Sequence, residues 1–141
     1  MSKVFAIGNV TVVVKSRDHC PPHVHAECKA EKWDALFEFS FIHNEISLMD
    51  IRPIRNAPSI SLINDISHSI GEHLSSCRSQ WWPAMGTVGL DNAWVIARHG
   101  QIKECHKTLL GASQVKNASY DAVTGEVTVS LVNETTVTYV P

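Results

Sequence analysis

Alternating apolar and polar positions dominate the first fifty residues and predict a run of strands. Residues 4–7 and 10–15 flank Gly8-Asn9, a pair that supplies the positive φ angles of a tight hairpin turn. Val10, Val12 and Val14 then share one face. Arg17 and Asp18 end that strand, and Pro21-Pro22 break the ladder because proline donates no backbone hydrogen bond. From residue 23 to 30 the alternation resumes, with His23, His25 and Glu27 on one side and Val24, Ala26 and Cys28 on the other. A strand over 33–41 follows, carrying a one-sided Phe37-Phe39-Phe41 stripe, and residues 45–51 complete an antiparallel meander of about five strands.

After Pro58 the period changes. Ile63, Ile66, Ile70, Leu74, Cys77 and Trp81 recur at helical spacing, with Ser59 as N-cap and Trp82-Pro83 as the end, so the pattern predicts one long amphipathic helix covering the apolar side of the meander. Gly71 is expected to weaken that helix while allowing it close to the sheet. Residues 85–92 are aperiodic and read as a linker between a domain at 1–84 and a small β-rich domain at 93–141. In the latter, strands at 94–98 and 102–108 flank His99-Gly100. Further strands alternate on either side of Thr124-Gly125 and Asn133-Glu134. The expected fold class is α+β, with a β-rich C-terminal extension.

Composition narrows the setting without naming a reaction. A net charge of −2 with interspersed signs provides no basic field for general nucleic-acid attraction. No apolar run approaches the roughly 20 residues that span a bilayer. The N-terminal residues run into a strand pattern without an apolar leader, and four scattered cysteines suggest reduced thiols, so the expected location is the cytoplasm.

The chemistry-bearing stretch is Asp18-His19-Cys20-Pro21-Pro22-His23-Val24-His25. On a strand, His23 and His25 stand about 6.7 Å apart on one face, from which both imidazoles reach one metal ion. His19, Asp18 or Glu27 could supply the third ligand; zinc is one ion the pattern accommodates, and the cofactor stays open. Without metal, two histidines could act as general acid and base, with Arg17 or Lys15 holding a phosphate. A third reading has Asp18 and His19 tie down the proline turn while His23 and His25 occupy the wet side of a strand. Trp81-Trp82 reads as either a docked helix end or a recognition patch.

This run resembles the Asp-His-x-Pro-Pro-His-x-His signature of an uncharacterised bacterial domain family, matched at Asp18, His19, Pro21, Pro22, His23 and His25 and extending over about residues 3–83. Residues 115–140 are similar in strand pattern to a second small β-rich family often encoded beside the first. The resemblance implies a toxin–antitoxin, mobile-element or phage-defence setting. Together these readings lead to an expected binding module that contacts a macromolecule, protein favoured over nucleic acid, through Arg17, Asp18, His19, His23, His25, Trp81 and Trp82. The alternative is a hydrolase, a nuclease in the first instance, using His19, His23 and His25 with or without zinc. An edge strand near residues 137–140 leaves self-association open.

Overall fold

The computed structural model describes residues 2–141, which form two compact units, each built on an antiparallel sheet. The first unit comprises the chain through Ser40 together with Asn44–Gly86. Its strands β1 (Ser2–Ile7), β2 (Val10–Val14), β3 (His23–Cys28), β4 (Trp33–Glu38) and β5 (Ser47–Arg52) lie in chain order, a meander. Gly8, at φ +57°, makes the β1–β2 turn. Val12 pairs with Ala26 and Ala26 with Ala35, so one face of the sheet carries the valines, Ala26 and Ala35, all fully buried. Each such aliphatic side chain larger than alanine contributes roughly 1.5–3 kcal/mol on burial.

The expected single long helix is two helices, α1 (Ile60–Glu72) and α2 (Leu74–Met85). The break is at His73, whose backbone at φ −114°, ψ 21° leaves the helical region. Its N–H bonds back only three residues, to the Ile70 carbonyl at 2.9 Å, and its Nδ1–H donates to the Ser69 carbonyl at 2.7 Å. Its ring stacks on Phe5 with centroids 4.2 Å apart, which anchors the junction to β1. Buried Ile66, Ile70, Leu74, Cys77 and Trp81 nonetheless stay on one stripe. Ser59 caps α1 through its Oγ, which accepts from the Leu62 N–H at 3.1 Å. Gly71 plays no part in close approach, because a Cβ there would meet nothing within 4 Å. Pro83 lies inside the last turn of α2 rather than ending it, and Gly86 terminates the helix in the left-handed conformation at φ +66°.

The second unit takes residues 41–43 together with Thr87–Pro141. Its strands β6 (Trp94–Arg98), β7 (Gln101–Glu104), β8 (Ser113–Asp121), β9 (Glu126–Leu131) and β10 (Thr136–Tyr139) are ordered β10-β9-β8-β6-β7, and the two outer strands, β7 and β10, approach one another. His99 and Gly100 both take positive φ, at 53° and 74°, in the β6–β7 turn. Within the aperiodic stretch before β6, Val88 and Leu90 are buried.

The aromatic stripe expected on one strand is divided. β4 stops at Glu38, and Phe41 belongs to the second unit, where it is fully buried against Tyr120, ring centroids 5.2 Å apart. The Tyr139 hydroxyl donates to the Phe41 carbonyl at 2.9 Å. On either side of this excursion, Arg78 of α2 is buried and donates from Nε to the Ser40 carbonyl at 2.9 Å and from its terminal nitrogen to Asn44 Oδ1 at 3.0 Å. No helix is long and apolar enough to cross a membrane.

Candidate metal centre

The proline run delivers β3 at a fixed register. The Pro22 carbonyl accepts from the Phe39 N–H at 3.0 Å, continuing the β3–β4 ladder one step past His23, which pairs with Glu38. His23 and His25 therefore face the same way, ring centroids 5.1 Å apart. They do not lie on a wet surface. His23 is 3% exposed and His25 5%, and His25 is flanked across the sheet by buried Val13 and Leu36. Trp81 sits against His23 with centroids 5.5 Å apart, and Phe39 meets Trp81 edge-on at 6.1 Å.

Burying two imidazoles requires partners for their nitrogens, and the structure supplies them asymmetrically. His23 Nδ1 lies 2.9 Å from the Pro21 carbonyl oxygen, which can only accept, so Nδ1 carries the proton. His25 Nδ1 faces Asp34 Oδ2 at 3.4 Å. Both Nε2 atoms turn to the Asp18 carboxylate from the preceding loop: His25 Nε2 is 3.0 Å from Oδ2 and His23 Nε2 is 3.4 Å from the same oxygen. With Nδ1 protonated, a neutral His23 aims an Nε2 lone pair at a carboxylate, and lone pair against lone pair repels. A cation between them removes the conflict: an additional proton or a metal ion.

The geometry accommodates a metal. One ligand atom from each of Asp18, His23 and His25 lies within 4.8 Å of the others. Tetrahedral ligands at about 2.1 Å from an ion stand about 3.4 Å apart, and the two histidine–carboxylate separations are 3.4 and 3.0 Å. Each imidazole is also oriented from behind, by a backbone carbonyl for His23 and a carboxylate for His25, the outer-sphere arrangement that fixes the tautomer of metal-binding histidines.

Asp34 was not singled out from the sequence. It reaches His25 because β4 places it diagonally across from that residue on the same face, next to Glu27. Its Oδ1 is buried and finds no hydrogen-bond partner among the described residues. Arg52 of β5 pairs with Asp34 in register and is held by Asp50, Nε to Oδ2 at 2.7 Å. That hydrogen bond keeps the Asp50 carboxyl below its ordinary range.

The other expected site residues separate into two groups. His19 lies outside the ligand set, exposed, its ring 6.2 Å from that of His23 in an edge-on arrangement. Glu27 is engaged by Lys15 at 3.8 Å. Arg17 and Cys20 are exposed on the loop. Trp81 is fully buried and offers no contact surface, whereas Trp82 is half-buried. Searches of protein-family models, curated proteins and solved structures found no match to the chain.

Proposed function

We propose that the first unit is a zinc-binding hydrolytic domain, a nuclease in substrate class, with Asp18, His23 and His25 as the metal ligands. The observation that carries this reading is the His23 Nδ1–H bond to the Pro21 carbonyl, which leaves the Nε2 lone pair 3.4 Å from a carboxylate oxygen. Asp18, His23 and His25 would hold the ion with one ligand atom each, the three-ligand set common to catalytic zinc sites. Asp34 and the Pro21 carbonyl hold the two rings in place, Trp81 backs His23, and His19 lies exposed beside the centre. A zinc ion held by these three residues would supply Lewis-acid activation of water for hydrolysis of a phosphate ester.

A second reading is favoured by the exposure of Arg17, His19 and Cys20 around the loop tip. In it, the same loop makes contact with a partner protein, in the toxin–antitoxin or phage-defence setting that the signature resemblance implies. Burial of His23, His25 and Trp81 confines such a surface to the loop tip and Trp82.

Elemental analysis of the purified full chain tests the first reading. The expected result is one zinc per chain, lost in His23→Ala and in His25→Ala, with ribonuclease activity lost alongside it. Zinc at 100 times its Kd should add about 2.7 kcal/mol to stability. A protein that takes up no zinc, iron or manganese, and whose unfolding is unmoved by these ions, would reduce the cluster to a buried polar network of His23 and His25 with Asp18 and Asp34.

A further inference from the structure

The face of the sheet that carries the histidines continues toward β1 as a cross-strand row. Lys3 pairs with Val13, Val13 with His25, and His25 with Leu36. Directly paired residues of antiparallel strands project to the same side. A neighbouring row on that face holds Thr11, Glu27 and Asp34. At the β1–β3 end of these rows lies a groove of about 320 Å³ lined by Lys3, Asn9, Thr11, Val13, Glu27 and Lys29. Val13 belongs to both places, lining the groove and standing opposite His25. Two strand spacings separate Lys3 from His25, about 9.5 Å between backbones. One extended small molecule spans that distance.

The groove's charge differs from that of the whole chain. The chain carries a net −2, yet Lys3 and Lys29 form no ion pair among the described residues. The acid lining the groove, Glu27, is compensated by Lys15 at 3.8 Å. Two uncompensated ammonium groups therefore remain, with the Thr11 hydroxyl and the Asn9 amide as neutral donors beside them. Ammonium groups act as point charges suited to compact oxyanions, and the floor formed by Val13 is apolar. A groove with these donors next to a centre suited to activating water selects a phosphate ester over a neutral substrate.

We propose that this groove is a phosphate-binding subsite of the metal centre, holding one phosphate of the substrate while the bond to be broken lies at Asp18, His23 and His25. The proposal rests on the metal-centre reading for its second half only. The phosphate can be the terminal group of a nucleotide or an internal group of single-stranded RNA.

Calorimetric titration of the zinc-treated full chain with adenosine 5′-monophosphate, adenosine and a five-residue RNA lacking terminal phosphates separates these. The monophosphate should bind about tenfold or more tighter than adenosine, as expected for charge-assisted hydrogen bonds. The double variant Lys3→Gln/Lys29→Gln should abolish that difference while leaving zinc content unchanged. RNA binding with the same lysine dependence identifies internal phosphates as the ligand; monophosphate binding without RNA binding identifies the terminal group. Equal affinity for adenosine and its monophosphate, or unchanged monophosphate affinity in the lysine variant, overturns the subsite. Lysine-dependent phosphate binding by a chain that holds no zinc keeps the subsite and overturns its link to a metal centre.

Discussion

Strand β3 buries side chains on both of its faces, for different reasons. Val24, Ala26 and Cys28 are 0–1% exposed, while His23 and His25 on the reverse are 3% and 5%. The first face is buried because apolar area is removed from water, and neighbours of suitable volume suffice. The second removes imidazole nitrogens from water, so it holds only if each nitrogen is matched by a named acceptor or a cation. Pro21, Asp18 and Asp34 provide the acceptors, and the His23 Nε2 facing Asp18 calls for the cation. Equal burial therefore conceals unequal tolerance: the apolar face accepts many similar side chains, and the histidine face accepts few.

Moving a charge to the wrong side of the strand should produce the largest effect. Val24→Asp places a carboxylate on the apolar face without the partners that Asp18 has, and it should cost more than about 4 kcal/mol; urea unfolding followed by tryptophan fluorescence would measure it. A Val24→Asp protein as stable as the parent would mean that the two faces are equivalent. The next effect is confined to the histidine face. Asp34→Asn keeps the shape but weakens the support behind His25, so zinc affinity should fall about 10–100-fold while the fold persists. Competition with a chromogenic chelator reads this directly, and an unchanged affinity would remove Asp34 from the centre.

The smallest effect concerns thiols. Burial pushes the Cys77 thiol up to about 12, so at pH 8 it is protonated as well as inaccessible. Cys28, on the apolar face, is equally buried, whereas Cys20 is exposed and Cys105 half-buried. A thiol reagent at pH 8 should label two cysteines in the folded chain and all four in denaturant. Mass spectrometry locates the labels, and modification of native Cys28 or Cys77 would show that the apolar face opens readily.

Much of this was legible in residue order, but not all of it for the same reason. Turns written in local chemistry were readable: Gly8-Asn9 and His99-Gly100 both mark turns, positive φ falling on Gly8 but not Asn9 in the first and on both residues in the second, and Ser59 caps its helix. The meander followed from alternation. The helix break at His73 was not readable, because Ile66, Ile70, Leu74, Cys77 and Trp81 keep one stripe across it. Nor was the departure of Phe41, which preserves the two-residue period of Phe37 and Phe39 although the strand has ended. Within the site, the His23–His25 pair was visible from spacing, and Asp18 was one of three possible third ligands. Asp34 was hidden by register. The pairing of Cys28 with Trp33 makes it a neighbour of a residue nine positions earlier, and only knowledge of that turn could have found it.

The three-residue excursion at 41–43 bears on how such a gene can be divided. A cut after Gly86 looks clean along the chain, yet the second piece would lose Phe41, and with it the ring against Tyr120 and the carbonyl that receives the Tyr139 hydroxyl. The first piece would retain Arg78 gripping Ser40 and Asn44 around a fully apolar side chain whose burial site is gone. A boundary drawn along the chain therefore does not coincide with the boundary between interiors: the second unit takes part of its core from a segment that the first unit holds at both ends.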